Sequence, residues 1–448
     1  MTRFKSIAAM LAAAAALAVA AVWMHSIALD VASHAEAFAA LGPASQAIVL
    51  VLLGLLALLG CRHLLMLGLA AWDQWTHAVP GDPAAASRLP FVSIIVPAFN
   101  EAPMIAQVLE SLLLVRYPRF EVIVVDDGSS DQTFLRALPY HRRRGVEYRV
   151  LAKPNGGKFD ALNHGIAHAR GEIVICIDGD SVLDPDAVRH CVAHFDDPRI
   201  GAVAGNVRVE NRGTAWSALQ ALEYIVGYGL AKRAQSAARA VCIVPGPLGA
   251  FRKSALSEVK GYDGDSFAED FDLTVKLLGA GWHIVYEPRA LVWTEAPERT
   301  LELLRQRYRW TRGSLQVLRK RARWLRTPLR DPLRFAGACY LVIECLALPA
   351  MHVTAQALFV GGGLWLGAHE LVIHWWIQLI LLECAVVAFC IAVERESPWL
   401  VVLTPVFRGF YMLVLDVARL LATLEEYKGV GMGWDKIARL GSFRPAAS

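Results

Sequence analysis

Residues 172–180 read EIVICIDGD: a short, largely β-branched apolar run that stops at Asp178-Gly179-Asp180. An unbroken apolar run of this length predicts a strand covered on both faces, as in a parallel sheet flanked by helices. Its end places two carboxylates around a glycine, where the backbone can approach a bulky ligand. Such oxygen donors suit a hard divalent cation, which is commonly held by one or two carboxylates plus substrate phosphates. Working outward, FVSIIVPA (91–98), EVIVVDD (121–127), EYRVLA (147–152) and GAVAGNVRV (201–209) also read as strands. Helical patterns fill 101–115, 130–143, 157–170 and 184–196. Strand–helix alternation with short turns predicts a doubly wound α/β layout, with ligands at the carboxyl ends of the strands.

Those ends hold the chemistry. One strand runs into Asn100-Glu101, another into Asp126-Asp127-Gly128-Ser129, a third into Asp178-Gly179-Asp180. An acidic turn residue is common for conformational reasons alone. Acids at three successive strand ends on one edge are harder to dismiss. Neither a G-x-x-x-x-G-K-[ST] loop nor a G-x-G-x-x-G after the first strand is present, which removes the main support for ATPase and dinucleotide readings. Asn155-Gly156-Gly157-Lys158 is a small glycine turn whose lysine could meet a phosphate. Ala268-Glu269-Asp270 opens a predicted helix running to about Leu278, where acids could simply complement the helix dipole. Gln306-Arg307-Tyr308-Arg309-Trp310 lies on an Arg-rich amphipathic helix, which could be a membrane-facing surface.

The composition averages two kinds of chain. Of 448 residues, 55% are hydrophobic and 19% charged, against roughly 45–50% and about 25% in soluble chains. The apolar excess sits at the ends. Residues 7–29 and 46–71 are long enough to cross a bilayer, and apolar runs return at 335–360, 366–393 and 399–422. The third of these carries Arg408, Asp416 and Arg419, so it either lines a cavity or lies in the membrane interface; the second alternative keeps the tail 433–441 cytoplasmic. A loop free of Lys and Arg (28–45), against twelve basic residues in 299–334, puts the middle of the chain on the cytoplasmic side. A net charge of +4 does not argue for a nucleic-acid partner. None of the eight cysteines forms a C-x-x-C pair, and most sit in apolar runs as small hydrophobes.

The order DDGS (126–129), DGD (178–180), Glu269-Asp270 and Q-x-x-R-W (306–310) resembles the membrane-bound processive family 2 glycosyltransferases. That group includes cellulose, chitin, hyaluronan and poly-N-acetylglucosamine synthases, and the leading spans and chain length are most similar to the last type. The resemblance implies a GT-A-type, Rossmann-like α/β domain inserted between N- and C-terminal transmembrane helices. The expected organisation is two spans in 1–75, a cytoplasmic transferase domain at 88–298, basic interface helices at 299–334, transmembrane or interfacial helices at 335–422, and a cytoplasmic tail at 423–448.

The resemblance also implies roles. Asp126 and Asp127 hold uridine, Asn100, Glu101 and Lys158 lie at the nucleotide-sugar, and Asp178 and Asp180 bind the diphosphate and a divalent metal, Mg²⁺ or Mn²⁺. Asp270 is the catalytic base. Gln306 and Arg309 hold the diphosphate, while Trp310 and Glu269 face the acceptor sugar. Where the family has Thr-Glu-Asp, this chain has Ala268-Glu269-Asp270, so the threonine hydroxyl is missing. The expected activity is inverting β-transfer from a UDP-sugar, best UDP-N-acetylglucosamine, onto a growing extracellular polysaccharide. The expected setting is a bacterial inner membrane, with a small partner subunit or a homodimer to complete the conduit. The competing readings are a non-processive transferase acting on a lipid carrier or ceramide, and a non-catalytic transporter or assembly scaffold.

Overall fold

The computed structural model describes residues 42–77, 89–141, 147–237, 241–322, 339–340, 342–366 and 369–431, with scattered positions between 14 and 39. The expected tail at 433–441 lies outside the described residues, as does most of the expected first span at 7–29. Contacts divide the chain into two units. One comprises Pro80–Tyr224, Ala238–Leu341 and Glu425–Ser448; the other comprises Met1–Val79, Ile225–Ala237 and Val342–Leu424.

The first unit is built on an eight-stranded sheet in the order β3-β2-β1-β4-β7-β6-β8-β5. Its strands are β1 (Val92–Ala98), β2 (Phe120–Asp126), β3 (Glu147–Ala152), β4 (Ile173–Cys176), β5 (Ser181–Leu183), β6 (Ile200–Val209), β7 (Gly249–Arg252) and β8 (His283–Thr294). The five strands expected from sequence all form. β1, β4 and β6 are buried along their whole lengths, as their unbroken apolar runs require. Helices α1 (Ile105–Leu113), α2 (Lys158–His168), α3 (Ala187–Val192), α4 (Glu269–Ala280) and α5 (Thr300–Lys320) accompany the sheet.

The sheet is mixed where a doubly wound layout predicts parallel strands throughout. β1 through β4 run parallel, but β7 is antiparallel to both β4 and β6, and β5 is antiparallel to β8. The three added strands are weak in sequence for physical reasons. β5 and β7 are only three and four residues long. β8 is interrupted by Glu287-Pro288-Arg289, and its pairing with β6 jumps from Ala204↔Tyr286 to Asn206↔Leu291. Proline within a sheet belongs at such a bulge.

Opposite the acid-bearing edge, Glu121 on β2 is fully buried. Its carboxylate accepts from Ser93 Oγ (2.6 Å), the Arg170 backbone amide (2.8 Å) and Arg149 Nη2 (2.7 Å). Burial alone would raise its pKa, but Ser93, Arg170 and Arg149 together hold it below the ordinary glutamate range.

The second unit is helical, and among the described residues three segments are long and apolar enough to cross a membrane: Ser45–Thr76, Trp375–Glu394 and Pro398–Tyr427. Leu52, Leu56 and Leu59 pack with Met351, Phe359 and Leu379. The glycine-rich stretch 361–366, between two of the apolar runs, continues the helix Leu348–Leu366. Several ionisable side chains of this unit are paired. Glu383 lies 3.4 Å from His63 and 3.5 Å from Arg408, and Asp416 lies 2.9 Å from His352 and 2.8 Å from Arg419. In the last apolar run, Arg408 and Asp416 line a cavity together with His352, Gln356 and Trp376.

Replacing Glu121 with alanine leaves Arg149, Arg170 and Ser93 without their shared acceptor and should cost about 3 kcal/mol. A lowered Tm in thermal denaturation checks this. Because the folded pKa is depressed, Glu121 stabilises above the unfolded value of about 4.3. That contribution disappears as pH falls through the lower folded value, so the Tm gap between wild type and variant should close in acid.

Candidate active site

The site forms where β1, β2 and β4 end. After β1, Asn100 takes a left-handed backbone with φ 53°, a conformation asparagine tolerates better than most residues. Its backbone amide donates to Ser129 Oγ (2.9 Å), and its side-chain oxygen accepts from the Ser130 amide (2.8 Å). The Glu101 amide donates to Thr133 Oγ1 (2.7 Å). Asn100 and Glu101 thus fasten the end of β1 to the loop that follows β2.

The two aspartates of that loop have different surroundings. Asp127 is buried and fully engaged. Lys153 Nζ (2.6 Å) and the Gly156 amide (3.0 Å) donate to its Oδ1, and the Gly157 amide (2.8 Å) donates to Oδ2. It shapes the glycine turn leading into Lys158. Asp126 is also buried, and its Oδ2 accepts from the Ser129 amide (3.3 Å). Asp126 Oδ1 is enclosed and has no hydrogen-bond partner among the described residues. A buried acceptor without a donor is costly and suits a ligand that brings one.

Lys158 opens α2 and carries the central charge. Its Nζ lies 2.7 Å from Asp178 Oδ1 and 3.1 Å from Glu269 Oε1. Burial works against the ammonium, but Asp178, Glu269 and Asp270 outweigh it, so Lys158 is held firmly protonated. Burial and the nearby Asp180 carboxylate raise Asp178, against the pull of Lys158. Loss of water and the neighbouring Glu269 carboxylate push Asp270 up to about 6, although Lys158 and the Phe271 amide oppose this. Lys158, Asp178, Glu269 and Asp270, expected separately from sequence, are therefore one electrostatic group, with Asp180 beside it.

As a metal site the DGD pair fits by donor chemistry. It offers two carboxylates, Asp180 buried, one of which already draws a cation in Lys158. Gly179 serves packing: a Cβ there would lie 2.8 Å from the Pro97 carbonyl oxygen, so glycine lets the end of β4 close on β1.

A second acidic group, Asp263, Asp265 and Asp272, gathers its carboxylates within 4.8 Å of one another. It is filled by the protein's own cations. Lys320 Nζ bonds all three acids, at 2.9 Å from Asp263 and 2.8 Å from Asp272, and Arg321 Nε lies 2.8 Å from Asp272. This clasp ties the end of α5 to α4, the helix that starts with Glu269 and Asp270. Sequence reading missed it because Lys320 and Asp272 are 48 residues apart.

Helix α5 holds Gln306, Arg309 and Trp310. Gln306 is buried, and its Oε1 has no partner among the described residues. Trp310 is 37% exposed, and the Arg307 guanidinium sits 4.3 Å from its ring centroid. Arg307 is itself buried and ion-paired to Glu223 at 2.6 Å, so it sets the Trp310 ring from behind. Sequence reading passed over Arg307 as one arginine among many. The register of α5 on α4 is set at Gly313. A Cβ there would lie 2.8 Å from the Ala268 Cβ, the Ala268 amide nitrogen and the Phe267 carbonyl carbon. The Phe267 amide also donates to Gln316 Oε1 (3.2 Å).

With this fold and this acid-edged site in place, residues 90–313, half of the chain, match the family described as glycosyltransferase like family 2, and the chain belongs to it. The fold is the GT-A glycosyltransferase type. Similarity extends to particular synthases. The chain is 37% identical over 224 residues to a poly-beta-1,6-N-acetyl-D-glucosamine synthase of Staphylococcus epidermidis, covering 50% of this chain and 54% of that one. It is 35% identical over 224 residues to the protein of the same name from Staphylococcus aureus strain COL, with the same coverage. The chain thus spans about half the length of the curated relatives it matches. Among solved structures, a mannosyltransferase of Pyrobaculum calidifontis in complex with GDP-Man and Mn²⁺ superposes with a TM-score of 0.60 at 23% identity, covering 86% of this chain and 100% of that one.

Gly313→Val should force α5 away from Ala268, because the obstructing atoms are backbone and a Cβ with no rotamer to give. Steady-state turnover should fall at least ~100-fold, while Gly213→Val, at a glycine with open space around it, should leave turnover near wild type.

Proposed function

We propose that this chain transfers a sugar from a UDP-sugar donor to the hydroxyl of a growing β-linked glycan by one inverting displacement. The observation that carries this reading is Asp270, a carboxylate pushed up to about 6 at the start of α4, within the field of Glu269, Lys158 and Asp178. A general base works best when its pKa lies near the operating pH. Asp270 takes the proton of the acceptor hydroxyl as that oxygen attacks the anomeric carbon. The bond from that carbon to the diphosphate breaks on the opposite face, so an α-linked donor yields a β-linked product.

The other residues bind and orient. Asp126 Oδ1, an enclosed acceptor without a donor, suits an N–H of the uracil ring. Asp127 holds the Gly156-Gly157 turn through which the chain reaches Lys158. Asp178 and Asp180 would hold Mg²⁺ or Mn²⁺, which when bound supplies positive charge against the diphosphate. Gln306 and Arg309 face the same leaving group, and the exposed Trp310 offers a flat apolar face to the acceptor sugar. Glu269 shares Lys158 with Asp178 and so keeps the second carboxylate of the motif in place beside the base.

UDP-N-acetylglucosamine is the favoured donor and chain extension the favoured outcome, because the relatives matched over the transferase domain are named as poly-beta-1,6-N-acetyl-D-glucosamine synthases. Three apolar helices and the basic stretch 299–334 support a bacterial inner-membrane enzyme with its site on the cytoplasmic face.

Membranes carrying the protein should release UDP from UDP-N-acetylglucosamine. Asp270→Asn should cut that rate by about 10²–10⁴, with UDP affinity within about threefold of wild type. Equal turnover by both proteins would reject Asp270 as the base. The pH profile of kcat/KM should fall as pH drops through about 6, because protonated Asp270 cannot accept the hydroxyl proton. A rate unchanged down to pH 4 would count against the same assignment.

A further inference from the structure

Lys158 occupies an unusual position for a residue whose only task is to meet a phosphate. Its Nζ lies between the two acidic motifs, 2.7 Å from Asp178 and 3.1 Å from Glu269. Its stem has little freedom at the base, because Lys158 is the first residue of α2 and the preceding Gly156 and Gly157 amides are both bound to Asp127. The far side is closed by the loop before β7: a Cβ on Gly246 would lie 2.8 Å from Nζ and 3.2 Å from Asp178 Oδ2. The ammonium is therefore seated on the carboxylate that a divalent ion would need.

We propose that Lys158 is a tethered counter-cation for Asp178, which keeps a free divalent ion out and yields the carboxylate only when a nucleoside diphosphate arrives. This rests on the reading of Asp178 and Asp180 as the metal ligands. A lone Mn²⁺ must displace an ammonium from a partly buried ion pair and leave it only the more distant Glu269 carboxylate. A diphosphate removes the obstacle, since its oxygens accept from the freed ammonium while its charge supplies further ligands for the metal. Metal and nucleotide thus favour each other's binding through one side chain, and this coupling is reciprocal.

The test measures Mn²⁺ binding by electron paramagnetic resonance on the full-length, detergent-solubilised protein, with and without UDP and without any turnover. Wild type should bind Mn²⁺ weakly alone and at least ~10-fold more tightly with saturating UDP. Lys158→Gln should bind Mn²⁺ alone at least ~5-fold more tightly than wild type, and UDP should then improve it far less. Lys158→Arg, which retains the charge, should behave like wild type, and this separates a cation effect from damage to the fold. Equal Mn²⁺ affinity in wild type and Lys158→Gln, with UDP enhancement intact in both, would overturn the proposal while leaving the metal site standing. Mn²⁺ binding that survives Asp178→Asn undiminished, in the presence of UDP, would overturn the metal assignment and the proposal with it.

Discussion

The rest of the site depends on one constraint: four carboxylates, Asp178, Asp180, Glu269 and Asp270, are brought together at the edge of a buried sheet. Like charges at this separation repel, and loss of water makes each anion costlier. The Lys158 ammonium answers part of this charge. Lys158 reaches both Asp178, at the end of β4, and Glu269, at the start of α4. The arrangement leaves Asp270 as the carboxylate with its pKa raised to about 6. Its reactivity is therefore set by the environment of the group rather than by any one contact.

The same economy of charge appears elsewhere with the opposite outcome. Asp263, Asp265 and Asp272 form a similar acidic group, yet Lys320, Arg321 and Lys276 meet their charge. Each carboxylate of that cluster is already bonded to at least one of these cations. At the other end of the sheet, Glu121 is held by Ser93, Arg149 and Arg170 and stays below the ordinary range. The fastenings pair each carboxylate closely with cations or hydroxyls, whereas the candidate site keeps a carboxylate with raised pKa and two enclosed acceptors, on Asp126 and Gln306, without donors among the described residues.

Much of this was legible in the sequence, and what was not has identifiable causes. Strands β1, β2, β4 and β6 declare themselves because burial on both faces demands unbroken or nearly unbroken apolar runs, whereas the edge strand β3 alternates buried and accessible residues. β7 was hidden because four residues, Gly249–Arg252, hold no periodicity, and β8 because Pro288 splits it at a bulge. The acids were visible as strand-end residues, but their partners were not. The bonds by which Asp127 shapes the Gly156-Gly157 turn, and the packing of Gly179 on Pro97, are contacts that strand-end position does not convey. Arg307 and the Lys320 clasp act through contacts that span 84 and 48 residues. Spacing along the chain carries no trace of such pairs.

The departure at Ala268 has a steric side that the loss of a hydroxyl alone does not convey. Residue 268 lies under α5 where a Cβ on residue 313 would meet it at 2.8 Å. At least one of the two positions must be very small, and here the helix contributes glycine while the motif contributes alanine. Ala268 then joins Phe271, Val275 and Val317 in a small apolar cluster between α4 and α5. The helix bearing Gln306, Arg309 and Trp310 is thus registered against the start of α4 by close approach, by the Gln316–Phe267 hydrogen bond and by the Lys320–Asp272 clasp. None of these three devices uses a hydroxyl at 268. An alanine there is consistent with an intact site because the work of placing α5 is done by shape and by charge pairs farther along the helix.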